Sequence, residues 1–254
     1  GVILVTTKRG AKGRAVVNFS YDQGFQQPTR TPKMADSYTF ASVANEMAVL
    51  RHSDPNSDPV LPYTPEDLAK FKAGKEPGYR TTDWYRRTMH KWVPQHRTNV
   101  SVSGGSDRIN YFFSVGELMQ RDRFKESSGK YRQYNVRSNI DVKIARSLTM
   151  GLNLAGTFDK RHVPYFSSTE MASHIFLYHP YWETYWPGTN YLKPLRGDQN
   201  WVNMVSDNAG YHDLENKKFQ GTLFLKWEVP WVKGLMLEAS GSYDTLHEYW
   251  KTFR

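Results

Sequence analysis

Seven stretches of this chain alternate apolar and polar residues, and the gaps between them run long, short, medium, short, long, short. The stretches are 16–22, 99–103, 109–115, 134–144, 149–158, 219–229 and 235–243. A period of two specifies strands whose two faces meet different surroundings. Gaps of alternating length mean hairpins that are tight at one end and elaborate at the other. A transmembrane β-barrel has this asymmetry, with brief periplasmic turns and large extracellular loops. The expected fold is therefore all-β: a portion of an antiparallel transmembrane β-barrel, with short helices in the outer loops and the bacterial outer membrane as its location. A soluble β-sandwich is the competing architecture, because it too has one apolar and one polar face.

Composition removes several other classes. Nowhere do about 18 apolar residues follow one another, so no transmembrane helix is expected, whereas a barrel strand needs only about 10 alternating residues. The 254 residues include no cysteine, which excludes a disulfide framework, a thiolate zinc site and a cysteine nucleophile. The net charge is +9, but Asp and Glu are interleaved with the bases and no nucleic-acid motif accompanies them. Nucleic-acid binding is not expected; a basic outer surface facing anionic lipopolysaccharide is the simpler reading. Seven strands are odd in number and few for a single-chain barrel, so the chain reads as part of something longer.

Between the strands, two insertions at about 26–95 and 160–218 carry most of the remaining sequence. In the first, Asp36 or Ser37 caps an expected helix reaching Arg51, with Phe40, Val43, Ala44, Met47 and Leu50 on one stripe. A second helix is expected from Pro65 to about Gly74, with Glu66 and Asp67 in its first turn. Gly104, Gly105, Ser106 and Asp107 read as the tight turn between strands two and three. Aromatics close the apolar phase at the long-loop end (Tyr21, Tyr134, Phe158, Phe219 and Tyr243), and Trp227 and Trp231 lie at the short-turn end. Paired aromatic girdles around an aliphatic band are what a bilayer interface selects. Arg137, Asp141, Lys143, Lys226 and Glu228 then face an enclosed interior.

Four segments resemble the SusC/RagA family of TonB-dependent outer-membrane transporters of Bacteroidetes. GVILVTTKRG at 1–10 is similar to the family's last plug strand and its exit into the barrel. VSVSGGSD at 100–107, running on through YFFSVG at 111–116, resembles its first periplasmic hairpin. YNVRSNID at 134–141 with GLNLAG at 151–156, and WEVPWVKGL at 227–235 with GSYD at 241–244, resemble the next strands in order. Asp83-Trp84 resembles a further recurring feature. The resemblance implies a barrel of about 22 strands around a plug. Residues 1–13 would then be the last plug strand and link, and 14–254 the N-terminal part of the barrel. It implies import of oligomeric nutrients, glycans ahead of peptides, with a SusD-like surface lipoprotein as lid. It also implies energy from TonB through a region absent here, and a dimer of transporter–lipoprotein pairs as the assembly. Two other functions stay open: a structural barrel anchor in a surface complex, and a soluble glycan-binding β-module.

The second insertion is dense in aromatic residues, and Tyr181, Trp182, Tyr185 and Trp186 are its candidates for substrate or partner contact. Flat rings with polar edges suit sugar stacking or anchoring a protein, but they equally suit packing a loop's own core. Asp54, Asn56 and Asp58 have calcium-loop spacing, yet Pro59 and Pro65 occupy positions where that motif needs glycine and glutamate, so a solvated loop is expected. His174 with His179, and His90 with His96, have no evident third ligand. With no nucleophile elbow, phosphate loop or dinucleotide fingerprint, no enzyme, metal or cofactor is expected.

Overall fold

The computed structural model describes residues 8–195 and 199–254. Gly1–Thr7, most of the expected plug strand, fall outside the described residues. All seven expected strands form: β1 (Gly13–Gln26), β2 (Val93–Gly105), β3 (Ile109–Arg121), β4 (Lys130–Ala145), β5 (Leu148–Pro164), β6 (Tyr211–Glu228) and β7 (Met236–Phe253). They make one antiparallel sheet in strict sequence order, with β1 and β7 at its edges. There is no second sheet packed on its apolar face among the described residues, which removes the sandwich. The turns at one end are short, 106–108, 146–147 and 229–235, whereas the other end carries 27–92, 122–129 and 165–210.

The register explains why period two held. Val17, Val102 and Phe113 share one cross-strand row, continued by Leu154 and Tyr243. The neighbouring rows repeat the pattern: Phe19–Val100–Val115–Val136, then Tyr111–Ile140–Leu152–Leu223, then Ile109–Val142–Met150–Leu225. This apolar face is open: Val17 is 67% exposed and Phe19 68%. Along β5 the apolar band runs from Leu148 to Phe158, ten residue steps, or about 34 Å at ~3.4 Å per residue. Tilted by about 40°, that is about 25 Å of height, the thickness of a barrel's lipid-facing belt. Tyr21, Tyr134 and Phe158 lie on one row at its upper rim. Phe219 and Tyr243 lie one and two rows nearer the short turns, a stagger expected of tilted strands. At the lower rim Trp227 packs edge-on against Trp231 at 5.5 Å.

The helices sit in the long loops. Helix α1 (Ser37–Arg51) starts where Asp36 accepts the Thr39 N–H at 2.7 Å. Helix α2 (Pro65–Ala73) opens on a capping box between Thr64 and Asp67 and closes at Gly74 in the left-handed region, φ 59°. Two helices were not anticipated: α3 (Trp84–Thr88), capped by Asp83, and α4 (Ser168–Phe176), capped by Ser167. No described helix is long and apolar enough to cross a membrane, which says nothing of the strands.

Two expectations need correction. Gly104 and Gly105 are paired residues of β2, and the turn is made by Ser106–Asp107–Arg108, closed by the Ser106 N–H to the Ile109 carbonyl at 2.7 Å. The α1 stripe is only partly covered: Phe40 packs on His179 at 4.6 Å and Ala44 is half-buried. Ser37 and Ala41 point inward, with Ser37 Oγ donating to the Arg80 carbonyl at 2.8 Å, while Val43, Met47 and Leu50 stay exposed. The neighbouring loop supplies polar partners to the Ser37 side of α1, and nothing described covers the opposite side.

Candidate functional site

Two places gather functional chemistry: the polar face of the sheet and the dome built by the long loops. The polar face presents mostly small or hydrogen-bonding side chains, in rows such as Asn18–Ser101–Ser114–Arg137 and Ser103–Phe112–Asn139–Asn153–Thr222–Ser242. Residues 8–11 cross this face. Arg9 forms an ion pair with Asp141, and its guanidinium lies 5.0 Å from the Phe224 ring centre. Asn139, almost wholly buried, donates to the Lys8 carbonyl at 2.7 Å. Gly10 approaches the Tyr111 and Gly104 carbonyls so closely that any Cβ would collide with backbone. Phe224, which carries Arg9, itself occupies the space over Gly151, where a Cβ would collide with the end of its ring. The polar face therefore already holds a segment of chain by an ion pair, an amide and a cation–ring contact. Of the interior charges expected from the sequence, Asp141 is the one brought to this segment; Lys226 instead pairs with Glu238 on β7 at 3.4 Å.

The dome ties three loops into one core. Trp84, Met171 and Ile175 have no exposed surface, and Phe124, Tyr178, Trp201, Val202 and Val205 pack with them. Asp83 accepts the Arg86 N–H at 3.0 Å and so starts α3, which drives Trp84 inward. The Trp84 indole N–H then donates to the His179 carbonyl at 2.9 Å. Tyr178 accepts the Trp201 N–H at 2.6 Å, and burial pushes its hydroxyl up to about 12.

The four candidate aromatics divide into two pairs. Tyr181 and Trp182 lie half-buried in the seam between the insertions. The Tyr181 hydroxyl meets the Tyr63 hydroxyl at 3.0 Å and His179 Nδ1 at 2.7 Å, and burial, followed by the Tyr63 hydrogen bond, raises its pKa. Trp182 stacks on His179 at 4.4 Å, and its carbonyl accepts from Thr82 Oγ1 at 3.0 Å. Tyr185 and Trp186 are 39% and 48% exposed at a turn tip, beside the more exposed Tyr191, with the Lys193 ammonium 5.2 Å from the Trp186 ring. The second pair is exposed, with Lys193 over one ring; the first supports the loops.

The remaining candidates do not converge. Asp54 accepts from Asn56 N at 2.9 Å and from Ser57 Oγ at 3.1 Å, an ordinary solvated turn. His174 stacks on Trp201 at 3.8 Å within the dome core. No cluster of three or more metal-ligating side chains occurs among the described residues. Sequence reasoning overlooked one polar latch. His162 Nδ1 meets Asp213 at 2.6 Å and its Nε2 meets Asp207 at 3.0 Å, while Ser128 Oγ donates to Asp207 at 2.6 Å, joining β5 and β6 to two outer loops. Only the pairing of β5 with β6 places His162 opposite Asp213, so spacing carried no signal.

No family model matches the chain. Over 157 residues it is 26% identical to the TonB-dependent receptor P26 of Formosa agariphila, and over 156 residues 26% identical to the TonB-dependent receptor P3 of the same organism. Each match covers 61% of this chain but only 14% and 13% of those receptors, so the chain spans about a seventh of the length of these relatives. In fold it is similar to a chain of the RagAB peptide importer in its closed-closed state, at a TM-score of 0.71 and 16% identity, covering 97% of this chain and 30% of that one. The open-open state of the same importer gives 0.70 and 17%, over 97% and 29%. Both named relatives are receptors and the solved neighbours are importers; none is an enzyme. The ordered hairpins, the sequence matches and the single sheet agree: over these residues the chain is similar to TonB-dependent receptors, and its segments resemble the SusC/RagA family.

Proposed function

We propose that this chain forms wall, outer loops and final plug link of an outer-membrane importer of oligomeric nutrients, glycan or peptide, energised through TonB. The observation that carries the reading is the division of one sheet into an open apolar belt about 25 Å high and a polar face that already grips a chain segment. On this reading residues 1–13 belong to the plug and 14–254 to the barrel, whose remaining strands pair with β1 and β7. TonB acts on a part of the receptor outside these residues. Its pull would have to release or reshape the contacts of Arg9 with Asp141 and Lys8 with Asn139.

A SusD-like lipoprotein fits above the dome. The outward side of α1, with Val43, Met47 and the 83% exposed Leu50, offers it an apolar surface, and Val60 and Leu61 in the loop before α2 are exposed too. Tyr185 and Trp186 offer exposed rings to the lid or to the cargo. Deleting the gene should abolish growth on one oligosaccharide or peptide source while sparing monomers, and the protein should fractionate with the outer membrane. Unchanged growth on every oligomeric source contradicts import.

A further inference from the structure

Above the girdle, three adjacent strands repeat one pattern on the outer face. Two residues beyond its rim aromatic, each carries a cation: Arg132 beyond Tyr134 on β4, Lys160 beyond Phe158 on β5, and Lys217 beyond Phe219 on β6. In the corresponding places β1 has Gln23 beyond Tyr21 and β7 has Thr245 beyond Tyr243, so the pattern is confined to β4–β6. These side chains, with Lys130 one step higher, line a groove of about 350 Å³ whose floor includes Tyr134 and Phe158. Its acidic partners only partly offset the charge. Lys160 pairs with Glu215 at 2.9 Å and Arg132 approaches Glu117 at 3.5 Å; Asp159, held by Asn216 at 3.0 Å, also lines the groove, and Lys130 acts electrostatically on Asp207, while Lys217 makes no ion pair among the described residues.

Depth decides what such a groove meets. Two residues along a strand are about 7 Å, less once tilted, and a headgroup layer is about 5–8 Å thick on each side of the hydrocarbon. The cations therefore lie level with the headgroups, over rings level with the upper acyl chains. The groove lies on the outside of the wall and is made entirely by β4–β6, so it is complete without the interior of the barrel.

We propose that this groove is a binding site for the phosphate of an outer-leaflet lipid, with Arg132, Lys160, Lys217 and Lys130 around the phosphate and Tyr134 and Phe158 against its acyl chains. The proposal rests on the barrel reading above. It differs from a general basic surface in requiring these four side chains together. Charge and apolar contact are both used, so neither an uncharged lipid nor inorganic phosphate alone satisfies the site.

The test uses the full-length receptor, purified in uncharged detergent, with phosphorylated lipid A and its dephosphorylated form as probes, bound lipid being counted by native mass spectrometry. The wild type should retain phosphorylated lipid A on the order of tenfold or more better than the dephosphorylated form. The R132Q/K160Q/K217Q variant should lose that preference, and millimolar inorganic phosphate should leave wild-type binding unchanged. K217Q alone touches no ion pair and so guards against misfolding; it should give a smaller loss in the same direction, and K217R should restore it. Equal retention of both lipids by the wild type, an undiminished preference in the triple variant, or competition by inorganic phosphate each overturns the site. Those results in a protein that still resides in the outer membrane leave the barrel reading standing. Absence of the wild-type receptor from that membrane overturns both.

Discussion

The wall and the dome bury their apolar residues in opposite senses. In the dome, Trp84, Met171 and Ile175 are enclosed by other side chains, as in any water-soluble core. In the wall, Val17, Phe19 and Leu223 point away from the molecule, while Asn139 and Phe224 on the polar face are covered. On the barrel reading proposed above, one hydrophobic effect produces both arrangements, because the solvent changes along the strand: hydrocarbon beside the belt, water above it. The change falls at Tyr134 and Phe158. Beyond them the same outer face carries Arg132, Lys160 and Lys130.

If the dome is a true core, Trp84→Ala should be the most damaging change, costing about 3–5 kcal/mol of local stability. Limited proteolysis should then cut the loops at 27–92 and 165–210 while the strands stay protected; cleavage no faster than in the wild type would show that the dome is not held from Trp84. The wall is tested by placing a charge in mid-belt. Leu154→Arg should cost about 2–4 kcal/mol and lower the amount of assembled receptor. Gln220→Arg, on the polar face next to it, should have little effect. Equal effects at the two positions would erase the distinction between the faces.

A smaller effect separates the two pairs of aromatics. Tyr181→Phe removes a hydroxyl bonded to Tyr63 and His179 and should loosen the seam by about 1 kcal/mol. Faster amide exchange in α2 would report it, whereas Tyr185→Phe should leave exchange unchanged. The subtlest handle is pH. Burial, the largest influence on His162, would lower its pKa, but the hydrogen bonds to Asp207 and Asp213 together outweigh it and the pKa is raised above 6.5. Burial likewise works against Asp207, and its bonds to Ser128 and His162 prevail and lower it below 3.8. A raised histidine stabilises fully below its unfolded pKa and loses that contribution as pH rises through the folded one. A lowered carboxylate stabilises above its unfolded pKa and loses that contribution as pH falls. The latch between 207–209 and β5 should therefore hold best between the carboxylate's 3.8 and the imidazole's 6.5 and loosen as pH climbs above 6.5 through the raised histidine pKa. Exchange around 207–209 should show this trend, and His162→Asn should abolish it.

The sequence reveals the wall more fully than the dome for the same physical reason. Alternation marks a strand only where its two faces meet different media. Each run was accordingly legible inside the belt and invisible above it: β6 begins at Tyr211 although alternation starts at Phe219, and β7 continues to Phe253 although alternation stops at Tyr243. The ladder continues there, but both faces carry polar groups such as His212, Asp213 and Glu248. In the dome, caps were the readable signal. Asp36 and Pro65 located α1 and α2, and Ser167 followed by Glu170 had the same form for α4 but was passed over. Asp83-Trp84, noted only as a recurring pair, proves to be a cap followed by the buried centre of the dome. The roles of Tyr181 and Trp182 depended on Thr82 and Tyr63, a hundred residues or more away, and no local pattern reports such a contact.

The central claim is tested directly by single cysteines at successive positions of β5, which has none of its own, in the assembled receptor with any cysteine outside these 254 residues replaced. Probes at 152 and 154 should be quenched from the lipid phase and resist water-soluble reagents. Probes at 153 and 155 should show the reverse. Uniform access from water along the strand, or lipid contact at the odd positions, would contradict a wall whose apolar face meets hydrocarbon.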